Sequence, residues 1–156
     1  MKNRSALLLQ SVLVVFGAAV LAFLLWEPHL EGRNAHATTF EIYFQDPFLA
    51  YVYVGSLPFF VAVYRAFRLL GEFRIKGSFS RSTVDSLRVI RICGLSLVGF
   101  VAVGVVFILI FGDKDDRPAG FFMSLLVTLV AGLIAFAATR FARKVQRDLS
   151  RSADRR

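Results

Sequence analysis

Four stretches of the chain hold no charged residue and are long enough to cross a lipid bilayer. They run over residues 6–26, 47–64, 92–112 and 118–139 and hold 18 to 22 residues each. A helix rises about 1.5 Å per residue, so each stretch reaches roughly 27 to 33 Å, close to the ~30 Å hydrocarbon core of a membrane. Lipid offers the backbone no water, and the alternating pattern of barrel strands is absent. The sequence therefore predicts four transmembrane helices.

The composition excludes an ordinary water-soluble domain. The chain of 156 residues is 56% hydrophobic and only 19% charged, whereas a soluble domain carries about 25% charged residues. Its single cysteine, Cys93, cannot form an intramolecular disulfide. We expect one all-α domain over residues 1–156, an integral membrane four-helix transmembrane bundle. Its helices are predicted at about 6–26, 47–70, 88–112 and 118–142, followed by a basic C-terminal tail at 143–156.

The basic residues are concentrated in the segments that four spans would place on one side of the membrane. Sixteen of the 19 Lys and Arg residues precede the first span, separate the second from the third, or follow the fourth. Because cytoplasmic loops are rich in Lys and Arg, both termini are predicted to be cytoplasmic, in a multi-pass protein of the cell membrane. The high pI follows from this distribution, so no direct nucleic-acid binding is expected. The 21-residue first apolar run is too long for a cleavable signal peptide, which favours an uncleaved helix.

The loop between the second and third spans contains the start of a helix. Ser80 as N-cap would place Phe79 against Val84 as a hydrophobic staple, and Ser82 as N-cap would make Asp85 the acid of a capping box. Either serine predicts a helix that begins here.

Two basic segments also have apolar faces. We expect the first to lie on the membrane surface before it turns into the third span, and the tail to form a similar basic collar. Contact with anionic lipid is favoured over a cytosolic partner for both segments. The apolar positions are Val84, Leu87 and Ile90 in the loop and Phe141, Val145 and Leu149 in the tail.

The spans themselves hold few polar side chains. Gln10 and scattered Ser and Thr residues are present, but there is no Asp, Glu, His, Lys or Arg. Ion-coupled carriers and proton pumps usually place an ionisable group at membrane depth, so that mechanism is not expected. Small side chains predict close helix contact along the fourth span, in two stripes formed by Ser124, Thr128 and Gly132 and by Ala131, Ala135 and Thr139.

An acidic connection joins the third and fourth spans. Its carboxylates, Asp113, Asp115 and Asp116, suggest Ca²⁺, but the loop lacks the glycine and distal glutamate of an EF-hand, and adjacent cations neutralise it. The two histidines lack the spacing of zinc ligands. We predict no metal, cofactor or catalytic residue.

Several blocks of sequence, in this order and spacing, resemble a bacterial family of unknown function, number twenty-nine seventy-five among the domains of unknown function. The resemblance covers about residues 5–148 and implies a four-helix multi-pass membrane protein. It also implies a gene often found beside a small cytoplasmic helix-turn-helix regulator of the Cro/CI kind. The blocks are Leu57-Pro58-Phe59-Phe60, Tyr64, Ala66-Phe67 and Leu69-Leu70; Phe79-Ser80, Ser82, Val84, Leu87, Ile90 and Cys93; and Gly112 to Asp116 with Pro118-Ala119-Gly120.

The favoured function is that of a regulatory or interaction protein that docks such a transcription regulator at the cytoplasmic face of the lipid bilayer. The alternative is a small permease or channel subunit, built as a homo-oligomer whose Ser, Thr and Gly faces line a pore. An enzyme is not expected, because the acids and the arginines fall on opposite sides of the membrane. The predicted docking residues are Arg65, Arg68, Arg74, Lys76, Arg81 and Arg88, and Asp113, Asp115 and Asp116 form the family-type motif on the other side.

Overall fold

The computed structural model describes residues 3–26, 38, 40, 47–111 and 117–153. Across these ranges the regular elements are α-helices: α1 (Asn3–Trp26), α2 (Pro47–Lys76), α3 (Arg81–Phe111) and α4 (Arg117–Ala153). All four are long and apolar enough to cross a membrane, which confirms the predicted all-α four-span architecture.

The helices pack in the order of the chain, α1 on α2, α2 on α3 and α3 on α4, and the last interface is the most extensive. Gly94 of α3 lies directly against α4: a Cβ at this position would be 2.9 Å from the carbonyl oxygen of Ala131 and 3.0 Å from the Cβ of Ala135. Small residues thus allow the two backbones to approach closely.

The structure distinguishes the two small-residue stripes predicted in α4. Ala131 and Ala135 are buried at the α3 interface, together with Ala138. Gly132 of the other stripe has nothing within 4 Å of a Cβ built on it. The closest contact is therefore made by the alanine stripe.

Within the charge-free spans of the described chain, three polar side chains connect neighbouring helices. Gln10 of α1 is buried, and its Nε2 donates a hydrogen bond of 3.1 Å to the carbonyl oxygen of Phe67 in α2. The hydroxyl of Tyr53 in α2 donates to the carbonyl oxygen of Leu24 in α1 at 2.9 Å. That carbonyl lies in the last turn of α1, where carbonyls lack helical partners, so the bond caps the helix.

The third cross-link joins α2 to α3. The hydroxyl of Tyr51 donates to the carbonyl oxygen of Phe100 at 2.6 Å, and the two rings are also in contact, with centroids 5.6 Å apart. On α2, Gly55 makes room for the Phe100 ring, since a Cβ there would lie 3.3 Å from it. These tyrosines therefore lock helices together within the bundle.

At one end the bundle continues beyond the predicted spans. This basic end comprises residues 65–76 of α2, 81–91 of α3 and 140–153 of α4. The helices α2, α3 and α4 have 30, 31 and 37 residues, hence lengths of about 45 to 55 Å, well above the ~30 Å of a hydrocarbon core.

The prediction that the loop segment lies on the membrane surface before turning into the third span is wrong. It forms the first turns of an uninterrupted α3, and its apolar face packs within the protein. Leu87 and Ile90 are buried against Ala138 of α4. Val145 of the predicted collar is also buried, at 2% exposure. An amphipathic pattern predicts an apolar face but does not tell whether lipid or another helix covers it.

Candidate functional site

A four-residue turn at the basic end joins α2 to α3. Gly77 has a φ of +65°, and its N–H donates to the carbonyl oxygen of Phe73 at 2.9 Å, a left-handed cap that ends α2. Helix α3 then begins at Arg81, so Ser80 is the N-cap. The N–H of Ser80 donates to Thr83 Oγ1 at 3.2 Å, and the N–H of Thr83 donates to the carbonyl oxygen of Ser80. Of the two predicted N-caps, Ser80 and Ser82, the structure therefore uses Ser80, and α3 starts at the residue after it.

The hydroxyl of Ser82 connects the turn back to α2. It donates to Glu72 Oε2 at 2.5 Å and lies 2.8 Å from the hydroxyl of Ser80. Since the single Ser82 hydrogen is used on the carboxylate, Ser80 is the donor in the second bond. Glu72 also pairs with Arg68 at 3.9 Å. This pair is partly exposed and stabilises the fold little, but the hydroxyl chain holds the two helices in register.

Three phenylalanine rings join the same turn to α4. Phe79 stacks on Phe73 of α2 at a centroid distance of 4.6 Å and meets Phe141 of α4 edge-on at 5.1 Å. The predicted staple partner of Phe79 was Val84, whereas its aromatic contacts are with Phe73 and Phe141. The turn is thereby packed against both α2 and α4, which fixes the helix ends that carry Arg74, Lys76 and Arg81.

The structure brings the six predicted docking cations to this basic end. Four lie on the last three turns of α2, and two lie seven residues apart on one face of α3. Arg65 and Arg74 are partly covered, and the other four are exposed. Within the described ranges Arg68 alone among them forms an ion pair. Four of the six predicted docking cations are therefore fully accessible to a partner.

Ile75 is a candidate contact residue that the sequence reasoning missed. Its side chain is 80% exposed, the highest value among the exposed large hydrophobic side chains described, and it lies between Arg74 and Lys76. It follows Phe73 by two residues, a rotation of about 200°, so it lies opposite the packed face of α2. The sequence does contain a signal for this residue, because Ile75 is an apolar residue placed between two cations, Arg74 and Lys76.

The remaining predicted site residues, Asp113, Asp115 and Asp116, lie outside the described residues. Arg117, which follows them, begins α4, and its Nη2 donates to the carbonyl oxygen of Leu109 at 3.2 Å. The described part of the chain contains no cluster of three or more His, Cys, Asp or Glu side chains. Cys93 is buried in α3.

These features define a class of protein, a polytopic α-helical membrane protein whose three longest helices exceed the thickness of a hydrocarbon core and form a basic, packed end. The chain belongs to the family described as "Protein of unknown function (DUF2975)", which matches residues 32–148 and confirms the resemblance found in the sequence.

A curated bacterial relative supports the same assignment. The chain is 29% identical over 140 residues to the protein named "Uncharacterized membrane protein YoaS" from Bacillus subtilis (strain 168), and the alignment covers 88% of each chain. No solved structure matches the chain.

Proposed function

We propose that the protein is a non-enzymatic, regulatory multi-pass protein of the cytoplasmic membrane, whose basic end faces the cytoplasm and docks a small helix-turn-helix regulator. The orientation rests on the positive-inside distribution of Lys and Arg. The class of partner rests on the regulator gene that the family resemblance implies.

The observation that carries the proposal is the exposed Ile75 among cations at the end of a rigid helical hairpin. The charge-free part of the second span ends at Tyr64, so Ile75 lies about 16 Å further along α2, beyond the headgroup layer. A lone exposed isoleucine is ordinary, but Arg74 and Lys76 flank this one and Arg81 begins the next helix. An apolar centre with a charged rim is the common arrangement of a protein contact surface.

Charge complementarity indicates what the partner surface should look like. The flanking cations favour acidic residues around an apolar pocket that accepts Ile75, and such pairing speeds association and fixes orientation. A regulator held in this way would be kept from DNA by its attachment to the membrane, without any chemical step.

Affinity purification in gentle detergent from the native cell, followed by mass spectrometry, tests the proposal. We expect a small DNA-binding protein to be recovered with the wild type and lost with R74S/K76S/R81S. The matched control R143S/K144S/R147S removes three cations from α4 and should retain it. Two results together would contradict docking. The wild-type preparation would contain no such regulator, and the regulator's location in the cell would not change when the membrane protein is deleted.

A further inference from the structure

One outward face of α4 changes from apolar to basic along its length. This α4 stripe consists of residues 129, 133, 136, 140, 143, 144, 147 and 151, which helical spacing places within an arc of about 100°. Leu129, Leu133 and Phe136 are 55%, 66% and 59% exposed. The opposite face, with Ala131, Ala138 and Val145, is buried in the bundle. The α4 stripe therefore faces away from the other helices.

Arg140 lies at the boundary between the two halves of the stripe. Its guanidinium carbon is 5.0 Å from the centroid of the Phe136 ring, one turn back toward the apolar half. Side chains in a helix point toward its N-terminus, so the guanidinium lies beside the ring that precedes it by one turn. The contact places a guanidinium at the level where apolar surface gives way to charge.

The basic half of the stripe carries few competing acids. One acid, Asp148, lies among its five cations, which are Arg140, Arg143, Lys144, Arg147 and Arg151. Among the described residues, no ion pair involves any of these side chains, the one such pair being that of Arg68 with Glu72. Arg143 and Lys144 are exposed and adjacent to Arg140 along the helix. This cationic half therefore complements a phosphate.

We propose that the α4 stripe binds an anionic phospholipid, with an acyl chain along Leu129, Leu133 and Phe136 and the phosphate held by Arg140, Arg143 and Lys144. Guanidinium groups contact phosphate oxygens in a forked geometry, and the ammonium adds a point charge. The apolar half of the stripe selects an amphiphile over a free phosphate or an acidic protein. This site is independent of the docking surface at Ile75.

Lipid titration of the purified full chain tests the proposal. The probes are dioleoyl phosphatidylglycerol, dioleoyl phosphatidylcholine and inorganic phosphate, added to protein in neutral detergent, and adducts are counted by native mass spectrometry. We expect phosphatidylglycerol to bind in preference to phosphatidylcholine and inorganic phosphate not to displace it. R140Q/R143Q/K144Q should bind phosphatidylglycerol about 100-fold more weakly, since each cation near an anionic surface contributes several-fold.

The docking variant R74S/K76S/R81S is the matched control and should bind phosphatidylglycerol like the wild type. The single variant R143Q, at an exposed position, should bind phosphatidylglycerol several-fold more weakly than the wild type. It tests the proposal even if the triple variant unfolds. Equal binding of the two lipids, displacement by inorganic phosphate, or an equal loss in the docking variant would overturn the proposal. The regulator purification is a separate readout, so either proposal can fail alone.

Discussion

At the scale of residues, two interhelical hydrogen bonds use the same local pattern. In both, a polar side chain donates to the carbonyl of a phenylalanine that precedes a glycine by four positions, Phe67 before Gly71 and Phe100 before Gly104. In a helix, the side chain of a residue usually covers the carbonyl of the residue four positions before it, because side chains point toward the N-terminus. A Cβ at Gly71 would lie 3.1 Å from Gln10 Nε2. Glycine at these positions leaves the carbonyl accessible.

We expect Q10L to weaken the attachment of α1 to α2. The substitution removes the donor to the Phe67 carbonyl, and hydrogen bonds between membrane helices contribute about 0.6 kcal/mol on average. A lower thermal midpoint in detergent checks this, with S11A at the adjacent exposed position as control. An unchanged midpoint for Q10L would show that the bond does not stabilise the interface.

Two glycines of α3 form a matched pair for testing the α3–α4 contact. G94A places a Cβ against the backbone of Ala131 and should destabilise the bundle by about 1 to 3 kcal/mol through overpacking. G99A meets open space and should be neutral or stabilising, because alanine is the better helix former. Thermal unfolding of both variants measures the difference, and equal stabilities would contradict this close approach.

At the scale of elements, the spans and the start of α3 could be predicted from the sequence, but the continuity of the long helices could not. Long charge-free runs are stable in lipid only as helices, and Ser80 and Ser82 each offered an N-cap for a helix that begins between the second and third spans. In contrast, the sequence does not tell what covers the helix faces that contain Leu87 and Val145. Their 3.6-residue period fits a lipid surface and a helix interface equally well, and only tertiary packing decides between them.

The tyrosine cross-links were missed for a related reason. Tyr51 and Tyr53 lie where headgroup anchors are common, so the sequence favours an interfacial role. Their hydroxyls instead donate to carbonyls of α3 and α1. No local pattern around a tyrosine tells which neighbouring helix offers a carbonyl, because the acceptor is 49 residues away for Tyr51 and 29 for Tyr53.

At the turn between α2 and α3, we expect S82A to loosen the local structure without unfolding the bundle. The change removes the hydrogen bonds of Ser82 with Glu72 and Ser80, each contributing about 1 kcal/mol. Amide hydrogen exchange should accelerate at residues 77–83, whereas S78A, which alters an exposed hydroxyl, should leave it unchanged. Exchange rates in S82A equal to those of the wild type would contradict a role for the hydroxyl chain.

At the scale of the whole molecule, the basic residues predict one orientation. Cys93 is the single native cysteine and is buried, so a Cys93→Ala background permits labelling at one chosen site. A cysteine at Ser78, in the exposed turn, should react with a membrane-impermeant maleimide in inverted vesicles and stay unlabelled in intact cells. The opposite result would place the basic end outside the cytoplasm and remove the basis for regulator docking.

The proposed function depends on what the tip of the α2–α3 hairpin contacts in the cell. A photo-cross-linking amino acid introduced at Ile75 in the native host, followed by mass spectrometry of the adducts, tests this most directly. An exposed outward position within the spans, Leu133, serves as control and should yield lipid adducts. We predict a discrete adduct with a small helix-turn-helix protein at Ile75. Adducts with lipid alone, or solely with a second copy of this chain, would contradict the proposed function.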